Sequence, residues 1–155
     1  MGVGKSTVAP LVGARLGLPV VDLDEQVASR AGRTVAEVFA SEGEEGFRAR
    51  EAAAVSALCL GPPVVLALGG GTLHAGDNLG RLKARFRVVV LHAEWAEIER
   101  RLKACDQGAR PLLPRARSLY QARLAGYQQA GTLIDVTGLT PDQVTDSVLA
   151  LLEER

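Results

Sequence analysis

Near its start the chain carries Gly2-Val3-Gly4-Lys5-Ser6-Thr7, six residues of the types needed to hold a phosphate. They match the second half of the pattern G-x-x-x-x-G-K-[ST]. Glycines let the main chain wrap closely around an anion, with successive N–H groups turned inward. In that pattern Lys5 reaches the β- and γ-phosphates and the Ser6 hydroxyl holds Mg²⁺. A helix beginning here adds the positive end of its dipole. The same residues could also make a plain glycine turn ahead of an ordinary helix.

Two carboxylates follow. In "VVDLDEQV", Asp22 and Asp24 stand at the end of a short β-rich run. Residues two apart on a strand face the same way, and open α/β sheets bind ligands at the carboxyl ends of their strands. One carboxylate could steer Mg²⁺ through water while the other takes a proton from an attacking hydroxyl. Alternatively, Asp24 caps the next helix. "LALGGGT" sets Gly69, Gly70 and Gly71 after an apolar run. Three glycines are costly in backbone entropy, which suits a place where a ligand lies against the main chain, or a flexible turn. Arg48, Arg110 and Arg123 fall where helices and a lid-like loop should meet the strand ends. Guanidinium groups suit two-pronged recognition of carboxylate and phosphate.

The elements that must position these groups alternate along the chain. Helical spacing of Val8, Leu11, Val12 and Leu16 predicts a helix over 5–16, stopped at Gly17. Strands are predicted over 18–22, 64–68, 87–92 and 133–137, two of them apolar throughout as in a sheet covered on both faces. Thr34 and Glu37 form a capping box that opens a helix over Val35, Val38 and Phe39. Further helices are expected from about 44 to 60, over 96–103, over 118–129 and, behind Thr140-Pro141, up to 152. Buried strands alternating with helices imply a three-layer α/β domain around a parallel sheet. Residues 1–155 read as one such domain, with a lid loop around 104–116.

Composition excludes several classes of function. Acidic and basic residues number 18 each, so no broad basic footprint exists for nucleic acid or anionic lipid. Only Lys5, Lys83 and Lys103 are lysines, and arginine supplies the other bases. Cys59 and Cys105 lack metal-ligand spacing and are read as reduced thiols of a cytoplasmic protein. Apolar runs such as Val64–Leu68 fall far short of the roughly 20 residues of a membrane span. His74 and His92 are read as structural or surface residues, Phe47 and Trp95 as packing residues.

Together the segments "GVGKST", "VVDLDEQV", "GRTVAEVFASEGEEGFRAREA", "VLALGGGT" and "RPLL" resemble the shikimate kinase family of phosphate-loop kinases, in its order and nearly its spacing. The resemblance implies ATP-dependent phosphorylation of the 3-hydroxyl of shikimate by a monomer, with Mg²⁺. Gly2, Val3, Gly4, Lys5, Ser6 and Thr7 then hold the nucleotide phosphates. Ser6 and Asp22 serve the metal, and Asp24 binds substrate hydroxyls and is the candidate base. Arg48 and Arg123 hold the substrate carboxylate, and Gly69, Gly70 and Gly71 line its pocket. Arg110 closes on the transferring phosphoryl group, and Arg101 lies against adenine. Other small-molecule kinases, such as gluconate kinases, share the loop and lid, and a catalytically silent relative is the reading from another class.

Two departures from the family pattern stand out. An Arg-x-Pro-Leu-Tyr run appears here as Arg123-Leu124-Ala125-Gly126-Tyr127, without its proline. The family also implies a five-stranded sheet in the order 2-3-1-4-5, whose first strand and first loop glycine are missing from this chain. Met1 would then be internal to a Gly-x-Met-Gly-x-Gly-Lys loop, with translation starting about a dozen residues upstream, room for one strand. Without that central strand, low stability or low activity is expected.

Overall fold

The computed structural model describes residues 2–104 and 116–153. Helix α1 (Lys5–Leu16) leaves directly from the glycine loop and ends at Gly17 in a left-handed cap. Then come β1 (Val20–Asp22), α2 (Leu23–Ala31), α3 (Val35–Leu60) and β2 (Val65–Ala67). A 3₁₀ turn over Thr72–His74 precedes α4 (Asn78–Arg85), β3 (Val89–His92) and α5 (Trp95–Ala104). Helix α6 (Ala116–Ala130), β4 (Thr132–Asp135) and α7 (Pro141–Glu153) complete the chain.

All four predicted strands form, each shorter than expected. Helix α3 joins the two helices anticipated around 34–60. Its Thr34–Glu37 capping box is present, and a kink at Gly43, where φ is 70°, separates its two parts. Helix α2 was expected only as the helix to be capped at Asp24, and the 3₁₀ turn and the amphipathic α4 were not foreseen. The lid loop and Arg110 lie outside the described residues.

Among the described residues the strands form two pairs rather than one continuous sheet. Strand β1 pairs in parallel with β2, and β3 pairs in parallel with β4, but the two pairs are separate. These are the neighbours 2-3 and 4-5 of the order inferred above. Between β2 and β3 runs a cleft of about 320 Å³ floored by α1 residues such as Val8 and Val12 and walled by Leu66, Val89 and Leu91.

Helices cover both faces of the paired strands. Val65, Val89, Leu91 and Ile134 pack on one side against a core of Val8, Val12, Ile98, Val136 and Val144. Leu66, Leu68 and Val88 pack on the other against Leu23, Val27, Phe47, Val55 and Leu82. Alternation along each strand thus produces three layers, as the apolar strand patterns required. Every strand points its carboxyl end the same way, so the segments after β1 and β2 and the glycine loop before α1 gather at one edge.

Backbone hydrogen bonds define which strand groups face the cleft. The Val65 N–H donates to the Pro19 carbonyl (2.9 Å), and Val88 and His92 carbonyls accept from Thr132 and Val136 (3.1 and 2.7 Å). Since successive residues alternate sides in a ladder, the N–H groups of Leu66, Val89 and Leu91 face the cleft. These amides should exchange with deuterium far faster than those of Ala67 and Val90, which face ladder partners. Equal protection of the two sets, measured by NMR-detected exchange, would show that the half-sheets are not separate.

Candidate active site

A cleft of about 900 Å³ opens at the carboxyl edge of the strands. Gly4, Lys5 and Ser6 line one end, and Asp24, Arg48 and Arg123 line the other. At the loop end Gly2 and Gly4 have φ of 76° and 99°, left-handed values that favour glycine. The loop is backed by α5: a β-carbon at Gly2 would lie 3.0 Å from the Ile98 side chain. Arg101 also braces it, donating from Nη1 to the Val3 carbonyl (3.3 Å) and from Nη2 to the Val136 carbonyl (3.2 Å). Its Nε bonds Glu97 (2.7 Å), whose carboxyl is held down at about 2 by hydrogen bonds from Arg100 and Arg101. Arg101 therefore lines the loop end of the cleft, fixed by its bonds to Val3, Val136 and Glu97.

The two aspartates do not share a strand face. Strand β1 ends at Asp22, which is the N-cap of α2, and Asp24 sits in that helix's first turn. It is Asp22, not Asp24, that caps: its Oδ1 accepts from the N–H groups of Asp24 (2.9 Å) and Glu25 (3.3 Å). Both bonds fall on one oxygen, which leaves Oδ2 turned to other uses. Both carboxylates nevertheless line the cleft. The strand argument gave the right place by the wrong geometry: Asp22 reaches the cleft from the helix cap and Asp24 from the first helical turn.

The glycine turn after β2 has a role that the sequence did not disclose. A β-carbon at Gly69 would stand 2.9 Å from Asp24 Oδ1. One at Gly70 would stand 3.1 Å from the Tyr127 hydroxyl and 3.3 Å from Arg123 Nη1, and one at Gly71 only 2.3 Å from Arg48 Nη2. Three helices thus each rest a functional side chain on bare main chain. The glycines are needed for these side chains to approach, before any ligand is considered.

Glu51 was missed as a site residue, although it ends the quoted "GFRARE" run. Its side chain is fully buried, and it accepts hydrogen bonds from Arg48 Nη1 and from Thr72 Oγ1 (2.7 Å). Thr72 is in turn tied to Asn78 through its carbonyl (3.2 Å). Glu51 thereby fixes the guanidinium of Arg48, which also lies 5.5 Å above the Phe47 ring. The available signal was the spacing: an acid three residues after an arginine shares its helix face. Buried charges survive when paired and hydrogen-bonded, as here.

Asp24 is the electrostatic focus. Burial, then the nearby Asp22 and Glu51, push its carboxyl above the usual carboxylate range, and Lys5 and Arg48 only partly oppose them. A carboxylate made more basic, within reach of a phosphate loop and two arginines, is suited to accept a proton from a bound alcohol.

Loop, raised carboxylate and paired arginines at the edge of a parallel sheet define a phosphoryl-transferring kinase of the phosphate-loop class. The shikimate kinase family profile matches residues 1–153. A shikimate kinase of Symbiobacterium thermophilum is 40% identical, over 100% of this chain and 93% of that protein. One from Streptomyces avermitilis is 42% identical over 99% and 91%. Among solved structures, Acinetobacter baumannii shikimate kinase in complex with shikimate superposes with a TM-score of 0.90, at 30% identity over 98% of this chain and 88% of that one. The Bacteroides thetaiotaomicron enzyme gives 0.86 at 27% identity, over 99% and 94%. This chain belongs to the shikimate kinase family.

The raised Asp24 carboxyl carries a stability consequence. Its charged form is disfavoured in the folded protein, so folding loses free energy as pH rises through its native pKa. Asp24→Asn should therefore melt about 2–4 °C higher at pH 7. That gain should vanish near pH 3, below the ordinary carboxyl value of 3.8, where both states are largely protonated. Calorimetry showing a lower melting point for the variant at pH 7 would contradict this electrostatic picture.

Proposed function

We propose that the protein transfers the terminal phosphoryl group of ATP to the 3-hydroxyl of shikimate. One observation carries the reading: Asp24, Arg48 and Arg123 converge on the Gly69–Gly71 turn in the same cleft that the phosphate loop enters. Shikimate offers one carboxylate and several hydroxyls, to which two guanidinium groups and an aspartate are complementary. The Acinetobacter baumannii shikimate kinase solved in complex with shikimate superposes over nearly the whole chain, which supports the assignment.

In this scheme Arg48 and Arg123 clamp the acid so that the 3-hydroxyl faces Asp24. Asp24 accepts the hydroxyl proton as the oxygen attacks the γ-phosphorus. Lys5 and the loop N–H groups stabilise charge on the transferring group, since such reactions are governed by positioning and electrostatics. Arg110, which the resemblance assigns to the lid, would add its charge on closure and help exclude water that would otherwise take the phosphoryl group.

The donor set suits Mg²⁺. Ser6 offers a hydroxyl, and Asp22 offers the oxygen not used in its cap. Mg²⁺ usually keeps several waters and is held through one or two carboxylates together with substrate phosphates. When bound, it would neutralise charge on the β- and γ-phosphates. We further place the protein in the cytoplasm as a monomer. No described helix is long and apolar enough to cross a membrane, and the balanced charge gives nucleic acid no footprint.

ADP release measured with shikimate and, separately, with gluconate tests the acceptor: shikimate alone should support turnover. Gluconate-dependent release without shikimate-dependent release would overturn the assignment. Arg48→Ala should raise KM for shikimate by about 10- to 100-fold, the loss of a charge-assisted clamp, while KM for ATP changes less than threefold. Equal losses for both substrates would remove Arg48 from the carboxylate clamp.

A further inference from the structure

Helix α3 breaks at Gly43, whose φ of 70° and ψ of −173° interrupt the helical ladder. Both parts of the helix reach the active cleft: Val35 and Phe39 line it from before the kink, Phe47 and Arg48 from after it. With no continuous ladder across Gly43, side chains must set the angle between the two parts.

Glu42 is the side chain placed to do so. Its carboxylate receives a two-pronged grip from Arg50, Nε to Oε2 (2.7 Å) and Nη2 to Oε1 (2.9 Å), about two turns beyond the kink. Arg33, in the connector before α3, donates from Nη2 to the same carboxylate and from Nη1 to the Ser41 hydroxyl (2.7 Å). Ser41 in turn donates to the Glu37 carbonyl (2.7 Å). One carboxylate thus joins the α2–α3 connector to both parts of α3. Gly46 supplies the room. A β-carbon there would stand 2.5 Å from Glu42 Cβ and 3.2 Å from its Oε2. Glycine is disfavoured inside a helix, and here it lets Glu42 lie across the second part to reach Arg50.

We propose that Glu42 is a positioning residue for the acceptor pocket, stapling the kink at Gly43 so that Val35 and Phe39 stand at a fixed angle to Phe47 and Arg48. The proposal rests on the reading of this end of the cleft as the shikimate pocket. Across the kink the Phe39 and Phe47 rings stack, 4.5 Å between centroids and 28° between planes, and the Arg48 guanidinium lies 5.5 Å from the Phe47 centroid. A change of kink angle therefore moves Phe39 against Phe47, and with it the support of Arg48. Isolated exposed ion pairs fix little, but a bidentate arginine sharing its carboxylate with a second arginine forms a network of defined geometry. Arg50 first, and Arg33 after it, hold the Glu42 carboxyl down at about 2, so the staple stays charged throughout the neutral range.

Steady-state kinetics and fluorine NMR on the full chain test the staple. Glu42→Gln should raise KM for shikimate about 3- to 10-fold, the effect of weakened charge-assisted hydrogen bonds, while kcat and KM for ATP change less than twofold. Arg50→Gln should do the same, and the double variant should add nothing further. Arg15→Gln, which removes the exposed Arg15–Asp146 bond between α1 and α7, should leave both KM values unchanged. An unchanged shikimate KM, an equal rise for both substrates, additive losses or a rise with Arg15→Gln would each overturn the proposal. The chain has three phenylalanines, so labelling with 4-fluorophenylalanine yields three resonances. In the ligand-free protein Glu42→Gln should shift the signals of Phe39 and Phe47 and leave that of Phe86 in place. A uniform shift of all three, or none, ends the staple. If the unsubstituted protein phosphorylates no shikimate, the functional reading fails by itself, and the fluorine spectra alone decide whether Glu42 sets the kink.

Discussion

The approach of side chains to bare main chain at the end of β2 is the constraint on which the site depends. Asp24 from α2, Arg123 and Tyr127 from α6 and Arg48 from α3 each rest against a different glycine of Gly69–Gly71. A single β-carbon at Gly71 would collide with the Arg48 guanidinium and push it from its place beside Glu51. This wall of the cleft is therefore assembled by the turn, and the turn is held in place by the Thr72–Glu51 bond immediately behind it. Pocket shape and charge placement are thus determined together.

Zero net charge conceals a strongly polarised interior. Asp22, Asp24 and Glu51 crowd within range of one another, and Lys5 and Arg48 balance them only in part. Glu51 accepts hydrogen bonds from Arg48 and Thr72, and Asp22 caps its helix. Burial first, and those two neighbouring carboxylates second, raise the Asp24 carboxyl.

The divided sheet sets the mechanical background. Each half carries its own ladder, and helices on both faces hold the halves near each other across an apolar cleft. Among the described residues, inner-edge groups of β2 and β3 have no strand partner, a liability for stability, because backbone donors and acceptors away from water need partners. The loop at Gly2–Gly4 stands at the same edge as the ends of β2 and β3, so its position and the sheet's integrity are coupled.

The sequence by itself determined the four strands, the glycine loop and most of the helices. Glycine spacing with Lys5 and Ser6 marked the phosphate loop, apolar runs marked the strands, and Thr34 with Glu37 marked the start of α3, because each signal is local. Arg48, Arg123 and Asp24 were legible through the family motifs. Only the tertiary structure decided that Asp22 caps α2 while Asp24 turns into the cleft, that Glu51 aims Arg48, and that Tyr127 meets Gly70 across a separation of 57 residues. It alone also showed the sheet divided into two pairs. Those outcomes depend on contacts between distant segments, and hydrogen-bond partners chosen by packing leave no imprint in local composition.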